Sequence, residues 1–347
     1  MNPGSGTTTS STVSSAVSST AASTAASTAS LKDLCSGPNT FMGVPYATEI
    51  AGAHAAVLGI PFDVGTHAFR VGSRQGPTSI REQSRLMRHW NPEFADFPVA
   101  EKLGLVDVGD VKLVPSKTHH AFAQIEAAVG AIVDGGAVPI TMGADGSISL
   151  PVIRAVGRRH RGMAVLHIDS HTDSALPPGP DEHNAGTQFH YAAVEELVDT
   201  TNSWHVGVRG TVFRPGGFGH TNELGYNIVT MNQLMARGIP AVMADLRQRL
   251  EGRPVYLCLD MDAFDPSCAP GVCAPSWGGL SAREGIDMFR RLHGLDIVAV
   301  DVNTVSPPHD VSGMSAFLAA NMMFEGMMLV AARRFPGEVR RFELAGA

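Results

Sequence analysis

Residues 137–151 read AVPITMGADGSISLP. The apolar run at 137–143 reads as a buried strand, and the residues after Ser147 open a helix. A turn between a parallel strand and a helix is where an α/β protein places its chemistry. This turn offers Asp145, but at the next position it carries Gly146, which has no side chain to offer.

The same strand–turn–helix unit recurs along the chain. Strands are predicted at 55–62 (AAVLGIPF), 102–111 (KLGLVDVGDV), 163–171 (MAVLHIDSH), 203–210 (SWHVGVRG), 253–262 (RPVYLCLDMD) and 295–303 (LDIVAVDVN). They are short, apolar and β-branched on both faces, the pattern of central strands in a parallel sheet. Helical patterns alternate with them at 76–87, 121–134, 190–199, 232–250, 281–293 and 313–333. Pro77 lies in the first turn of the first of these, where a missing N–H costs nothing. The alternation predicts one α/β domain over residues 35–347, with helices on both faces of the sheet.

Composition narrows the function. The chain has 347 residues, a formal net charge of -7 and 44% apolar residues. The mild acidity argues against a nucleic-acid partner. No long unbroken apolar run is evident, so no membrane-spanning helix is expected. Cys35, Cys258, Cys268 and Cys273 lack C-x-x-C spacing and read as free, buried thiols of a cytosolic protein. Residues 1–34 are almost entirely Ser, Thr and Ala, with Lys32 as the first charged side chain. Such a segment buries too little apolar surface to offset its ordering entropy and is expected to be a disordered tail. It carries neither the arginines of an organelle-targeting peptide nor the basic start and apolar run of a secretory one.

Polar groups gather at three strand ends. HIDSHTDS (167–174) supplies Asp169, His171 and Asp173, LDMDAFDP (259–266) supplies Asp260, Asp262 and Asp265, and the opening turn supplies Asp145. Alternate residues of a strand point the same way, so each set converges. Carboxylates collected at one sheet mouth repel one another without a cation. The mixture of carboxylate and imidazole suits Mn²⁺, Ni²⁺, Fe²⁺ or Zn²⁺.

These motifs resemble the ureohydrolase family, the arginases and agmatinases, over roughly residues 55–332. GIPFDVGTHAFRVGSRQGPTSIRE is similar to the family's opening strand and loop. HIDSHTDS and LCLDMDAFDPSCAPGV resemble its two metal motifs, and VSPPHDVSGMSAFLAANMMFE its C-terminal block. The resemblance implies a three-layer α/β/α sandwich with a mostly parallel sheet. It implies hydrolysis of a guanidino group by water activated between two Mn²⁺ or Ni²⁺ ions. By the family pattern Asp169 and Asp260 bridge both ions, Asp173 belongs to the first, and His171 and Asp262 belong to the second.

Against that pattern three positions depart. The family turn Gly-Gly-Asp-His-Ser reads Gly143-Ala144-Asp145-Gly146-Ser147, so a ligand of the first ion is missing. The proton-handling His of the His-Gly-Thr loop is replaced by Ala185, with His183 two residues away as a possible substitute. The Glu that holds the guanidinium is replaced by Thr304, whose hydroxyl cannot make paired, charge-assisted contacts.

Two expectations follow from the departures. In one, this chain is the non-catalytic partner of an active homologous subunit in a mixed trimer-based or hexameric oligomer, as in biguanide-hydrolysing complexes of the metformin hydrolase type. It would then bind no metal or hold a divalent ion weakly, and the partner would carry the Ni or Mn pair. His67 and Arg70, in the loop FDVGTHAFRVGSRQ (62–75), would be the residues at the pocket mouth that reach a neighbour. In the other, the chain is a self-sufficient amidine or guanidine hydrolase with a single-ion or weakened two-ion site.

Overall fold

Short β-branched runs separated by Gly-rich turns become strands, and in the computed structural model each predicted run forms one with trimmed ends. The structure describes Met1 and residues 37–339, apart from 65–66, 68, 180–181 and 213–214. Of the tail expected at 1–34, residues 2–34 lie outside the described residues, as does Cys35. Contacts divide the chain into Met1–Pro38 and Asn39–Ala347, and the second unit holds the whole sheet.

The strands are β1 Ala55–Gly59, β2 Val106–Asp110, β3 Val138–Met142, β4 Ala164–Ile168, β5 Trp204–Val208, β6 Asn227–Thr230, β7 Pro254–Asp260 and β8 Asp296–Asn303. They form one sheet in the order β2-β1-β3-β8-β7-β4-β5-β6, and each neighbouring pair is parallel. β6 is the strand the sequence does not announce. It pairs only with β5 at the sheet edge and is mostly half-buried, so it needs no continuous apolar run.

Alternation along the strands builds two cores. Val57, Ile140, Met142, Leu166, Leu257 and Leu259 face one core, with residues of the helices Ile239–Leu250, Ala282–Arg290 and Met314–Arg334. Leu58, Val165, Tyr256 and Cys258 face the other, with residues of the helices Thr118–Asp134 and Ser149–Gly157. This is the three-layer α/β/α sandwich. Cys258, Cys268 and Cys273 are free, and Cys258 and Cys273 are buried.

Two helical expectations change. The helix predicted at 232–250 is two helices, Met231–Arg237 and Ile239–Leu250. Gly238 between them has φ 83 and ψ 139, and Pro240 brings no N–H to continue the ladder. Met314–Arg334 has 21 residues and is apolar enough by composition to cross a membrane, contrary to the reading that no such stretch exists. Its apolar window is 83% buried inside the fold, so it is a core helix, with Glu325 paired to Arg290 on its flank.

The topology also places the site. After β4 the chain runs outward to β5, and after β7 it runs the opposite way to β8, while β4 and β7 lie side by side. Adjacent strands whose connections diverge leave a crevice at their carboxyl ends, where ligands bind. Asp169 directly follows β4 and Asp260 ends β7, and the register sets Ile168 opposite Leu259.

At the other end of the sheet, Arg81 is fixed between Asp107 and Asp110, with the Asp107 side chain fully buried and Arg81 7% exposed. Asp107 also accepts from the backbone N–H of Phe41 and Gly109, which ties the first turn, β2 and the helix Gly76–Ser84 together. Removing one partner of such a pair strands the other charge in the interior. Arg81→Leu is therefore expected to cost about 3–5 kcal/mol of stability, measured by urea unfolding of the full chain.

Candidate metal centre

The acidic motifs converge as their period-two spacing requires. Asp169, His171 and Asp262 bring ligand atoms within 4.8 Å of one another, and so do His167, Asp169, Asp173 and Asp260. Asp169 is fully buried, Asp260 and Asp262 are 2% exposed, and His171 and Asp173 lie half-buried at the opening. Neither oxygen of Asp169 has a hydrogen-bond partner. The His171 ring stands 3.5 Å from Asp169 and 3.7 Å from Asp262, and the Ser170 hydroxyl donates to Asp262 at 3.2 Å.

The donor set fits one divalent cation well. A buried carboxylate with no donor is costly, and a cation between Asp169, His171 and Asp262 removes that cost. Asp173 and Asp260 extend the cluster toward a second group, where the imidazole is that of His167 on β4 and position 146 supplies none. Gly146 is buried and faces this side: a Cβ on it would lie 3.2 Å from an oxygen of Asp173 and 3.2 Å from one of Asp260. The same Cβ would lie 2.7 Å from the Gln188 side-chain nitrogen, which already donates to Asp173 at 2.6 Å. Asp169, His171 and Asp262 thus fit one ion, while at the second group Asp173 already accepts from the Gln188 amide and Asp260 lies against the His167 ring.

His167 completes the floor. Its Nε2 is 3.4 Å from both Asp169 and Asp260, and its Nδ1 is 2.9 Å from Nδ1 of His205. His205 Nε2 is buried without a partner. Those contacts select the tautomers: His205 donates from Nδ1 to His167, and His167 donates from Nε2 to Asp260. His167 lies inside HIDSHTDS, outside the Asp169, His171 and Asp173 set expected from that motif. Its place two residues before Asp169 is the signal, since alternate strand residues share a face. Gln188 carries no comparable signal; only folding brings the 185–189 segment back onto Asp173, through Phe189 N to Asp173 O at 3.0 Å.

The other candidates have structural work. Asp145 caps the short turn Gly146–Ile148, accepting from Ser147, and also accepts from Val64 N at 2.8 Å. It does not join the metal-ligand groups, and burial lifts its pKa to about 6. Asp265 accepts from the N–H groups of Ser267, Gly278 and Gly279, anchoring its own loop. Thr304 is 4% exposed with φ 68, and its hydroxyl accepts from Met261 N at 2.8 Å. It holds the turn that carries Asp260 and Asp262, and its hydroxyl is engaged with backbone. Ala185 offers no polar atom. His183 does not step in for it: its ring packs 4.4 Å from Tyr191 and 5.3 Å from Phe122.

Arg70 also differs from expectation. Its guanidinium donates to the carbonyls of Val272 and Pro270 of its own chain, so it latches the opening loop to the loop after β7 instead of reaching outward. His67 is half-buried, with its ring 6.3 Å from that of Phe69. Arg209, not singled out from the sequence, donates to the carbonyls of Asp262, Phe264 and Ser276 and holds that loop against β5.

Charge in the centre is displaced in one direction. Burial and then mutual repulsion push Asp173, Asp260 and Asp262 well above the ordinary carboxylate range. Burial alone would lower His171, but Asp262 and Asp169 override it and hold its pKa well above the usual value. All four groups bind more protons folded than unfolded, so their contribution is lost as pH rises through the folded values. Burial depresses His167 and His205, which oppose this trend only below their unfolded value near 6.5. Chelator-treated protein is therefore expected to lose thermal stability steadily from about pH 6.5 upward. Added Mn²⁺ or Ni²⁺ should flatten that slope and release protons on binding. Melting curves across pH with and without metal, and calorimetry in buffers of different ionisation enthalpy, check both.

Comparison with known proteins agrees with this geometry. The sequence model described as "Arginase family" matches residues 53–329. A guanidinobutyrase of Pseudomonas aeruginosa is 32% identical over 308 residues, covering 88% of this chain and 94% of that protein. A guanidinopropionase of the same organism is 34% identical over 299 residues, covering 85% of this chain and 92% of that protein. Among solved structures, the proclavaminate amidino hydrolase of Streptomyces clavuligerus superposes with a TM-score of 0.80 at 28% identity, over 86% of this chain and 97% of that one.

Proposed function

This chain belongs to the arginase family, and on that footing we propose that it is a metal-dependent C–N hydrolase of the linear amidine and guanidine class with one well-formed cation site. The observation that supports this is Asp169, whose two buried oxygens lack any donor beside His171 and Asp262. A divalent ion there, Mn²⁺ or Ni²⁺ by the oxygen and imidazole donors, would supply Lewis acidity and a water of lowered pKa. Asp169, Asp262 and neutral His171 would hold it, with Asp260 alongside. Ser170 and His167 orient those ligands from behind, and Arg209 fixes the backbone of Asp262.

The substrate side favours something other than a simple alkylguanidinium. Thr304 offers no charge to a cation, and its hydroxyl is engaged with Met261 N. The loops following β1, β4, β5, β7 and β8 expose Phe69, Leu176, Val212, Trp277 and Val311. Loops with exposed apolar residues and no anchoring carboxylate at 304 suit a bulkier or less charged amidine, such as a substituted biguanide.

A second reading gives the chemistry to a complete homologous subunit in a mixed oligomer, with this chain as its partner. It is favoured by Ala185 and Thr304 together, since neither proton transfer nor substrate anchoring has a replacement side chain at those positions.

The test uses the purified chain loaded with Mn²⁺ or Ni²⁺ and assayed on guanidino acids, agmatine and substituted biguanides. Turnover by this chain alone, lost at least ~100-fold in Asp262→Asn, is expected for the hydrolase, since even outer-shell changes cost 10–100-fold. No turnover alone, and activity with a complete homologue that Asp262→Asn in this chain leaves unchanged, would establish the second reading instead.

A further inference from the structure

We propose that Gln188 stands in for the first cation of the family's pair, its side-chain amide occupying the space beside Asp173 and thereby fixing the capacity of this chain at one ion. The inference rests on the single-site reading above and deepens it. Gln188 is 1% exposed, and its side-chain nitrogen donates to Asp173 at 2.6 Å. The backbone clamps this contact, with Phe189 N bonded to Asp173 O at 3.0 Å and Ala175 N to Gly186 O at 2.9 Å.

Gly146 and Gln188 form a matched pair. The Cβ of any side chain at 146 would come within 2.7 Å of the Gln188 nitrogen, closer than a Cβ approaches a neighbour, so the amide at the end of that side chain would have to leave its place. An imidazole at 146 and the amide of 188 compete for the same volume between Asp173 and Asp260. With glycine at 146, the amide supplies Asp173 with a donor that an ion would otherwise replace. The amide orientation follows from the same contact. Turned over, its oxygen would face a carboxylate oxygen at 2.6 Å, which is repulsive without a proton or cation between them. As it stands, the Gln188 oxygen is buried without a donor, so the bond to Asp173 is held at the expense of the other end of the amide.

The experiment reads bound metal and its coupling, independently of activity. Wild type, Gly146→His, Gln188→Glu and Gly146→His/Gln188→Met are grown with Mn²⁺. Ions per chain are counted by plasma mass spectrometry, and electron paramagnetic resonance separates an isolated ion from an exchange-coupled pair. Wild type and Gly146→His should each hold one isolated ion. The double variant should hold two ions with a coupled signal. Gln188→Glu needs no new volume, so it guards against a double variant that fails to fold. It sets a second carboxylate against Asp173 and should also take up a second ion. A second ion in Gly146→His alone, or no gain in a folded double variant or in Gln188→Glu, would overturn the proposal. So would a wild type that holds two ions. A wild type without any ion defeats the single-site function, while a gain of one ion by the double variant over Gly146→His would still uphold the role of Gln188.

Discussion

Asp169, Asp260 and Asp262 are shut away from water at the carboxyl ends of β4 and β7, and Asp173 closes the cluster at its opening. The rest of the centre is arranged around their repulsion. His167, backed by His205, donates to Asp260 from below, Ser170 donates to Asp262, and Gln188 donates to Asp173. Asp169 alone keeps both oxygens bare. Each donor lowers the cost of one carboxylate, and what remains falls on the place where His171 and Asp262 can share a cation with it. The place left for a cation beside Asp169 is thus a property of how donors are distributed over the cluster.

The three altered family positions have different fates in the fold. Gly146 yields its space to Gln188, a polar group that still serves the cluster. Thr304, a β-branched residue at positive φ, keeps the backbone of the Asp260–Asp262 turn in place. Such a conformation carries strain and persists only where the surroundings fix it. Here Ala144 O, Met261 N and Cys273 N all bond to Thr304. Ala185 has no such role. The ligand geometry is therefore supported by replacements, while the substrate-facing chemistry is not, and this asymmetry separates the two functional readings.

Much of this was legible in the residues. The apolar runs fixed seven strands and their parallel pairing, because a strand buried on both faces has little choice of composition. The HIDSHTDS and LDMDAFDP spacings located the carboxylates, since alternate residues share a face and the strand ends share an edge. Less was legible where a residue's role depends on a distant segment. Asp145 and Asp265 look like ligands in sequence but serve as backbone caps, and Arg70 looks like a probe of the surroundings but holds its own chain's carbonyls.

Sequence by itself determined the layered α/β architecture, the family, and the absence of an imidazole at 146, of a second one at 185 and of a carboxylate at 304. These follow from local pattern and residue identity. Tertiary structure alone decided that β4 and β7 are neighbours, that His167 and His205 form one hydrogen-bonded floor, and that the 185–189 segment folds back to set Gln188 against Asp173. Hydrogen bonds between residues 15 to 38 positions apart, and a sheet order that departs from chain order, are set by packing of the whole domain. No local pattern encodes them.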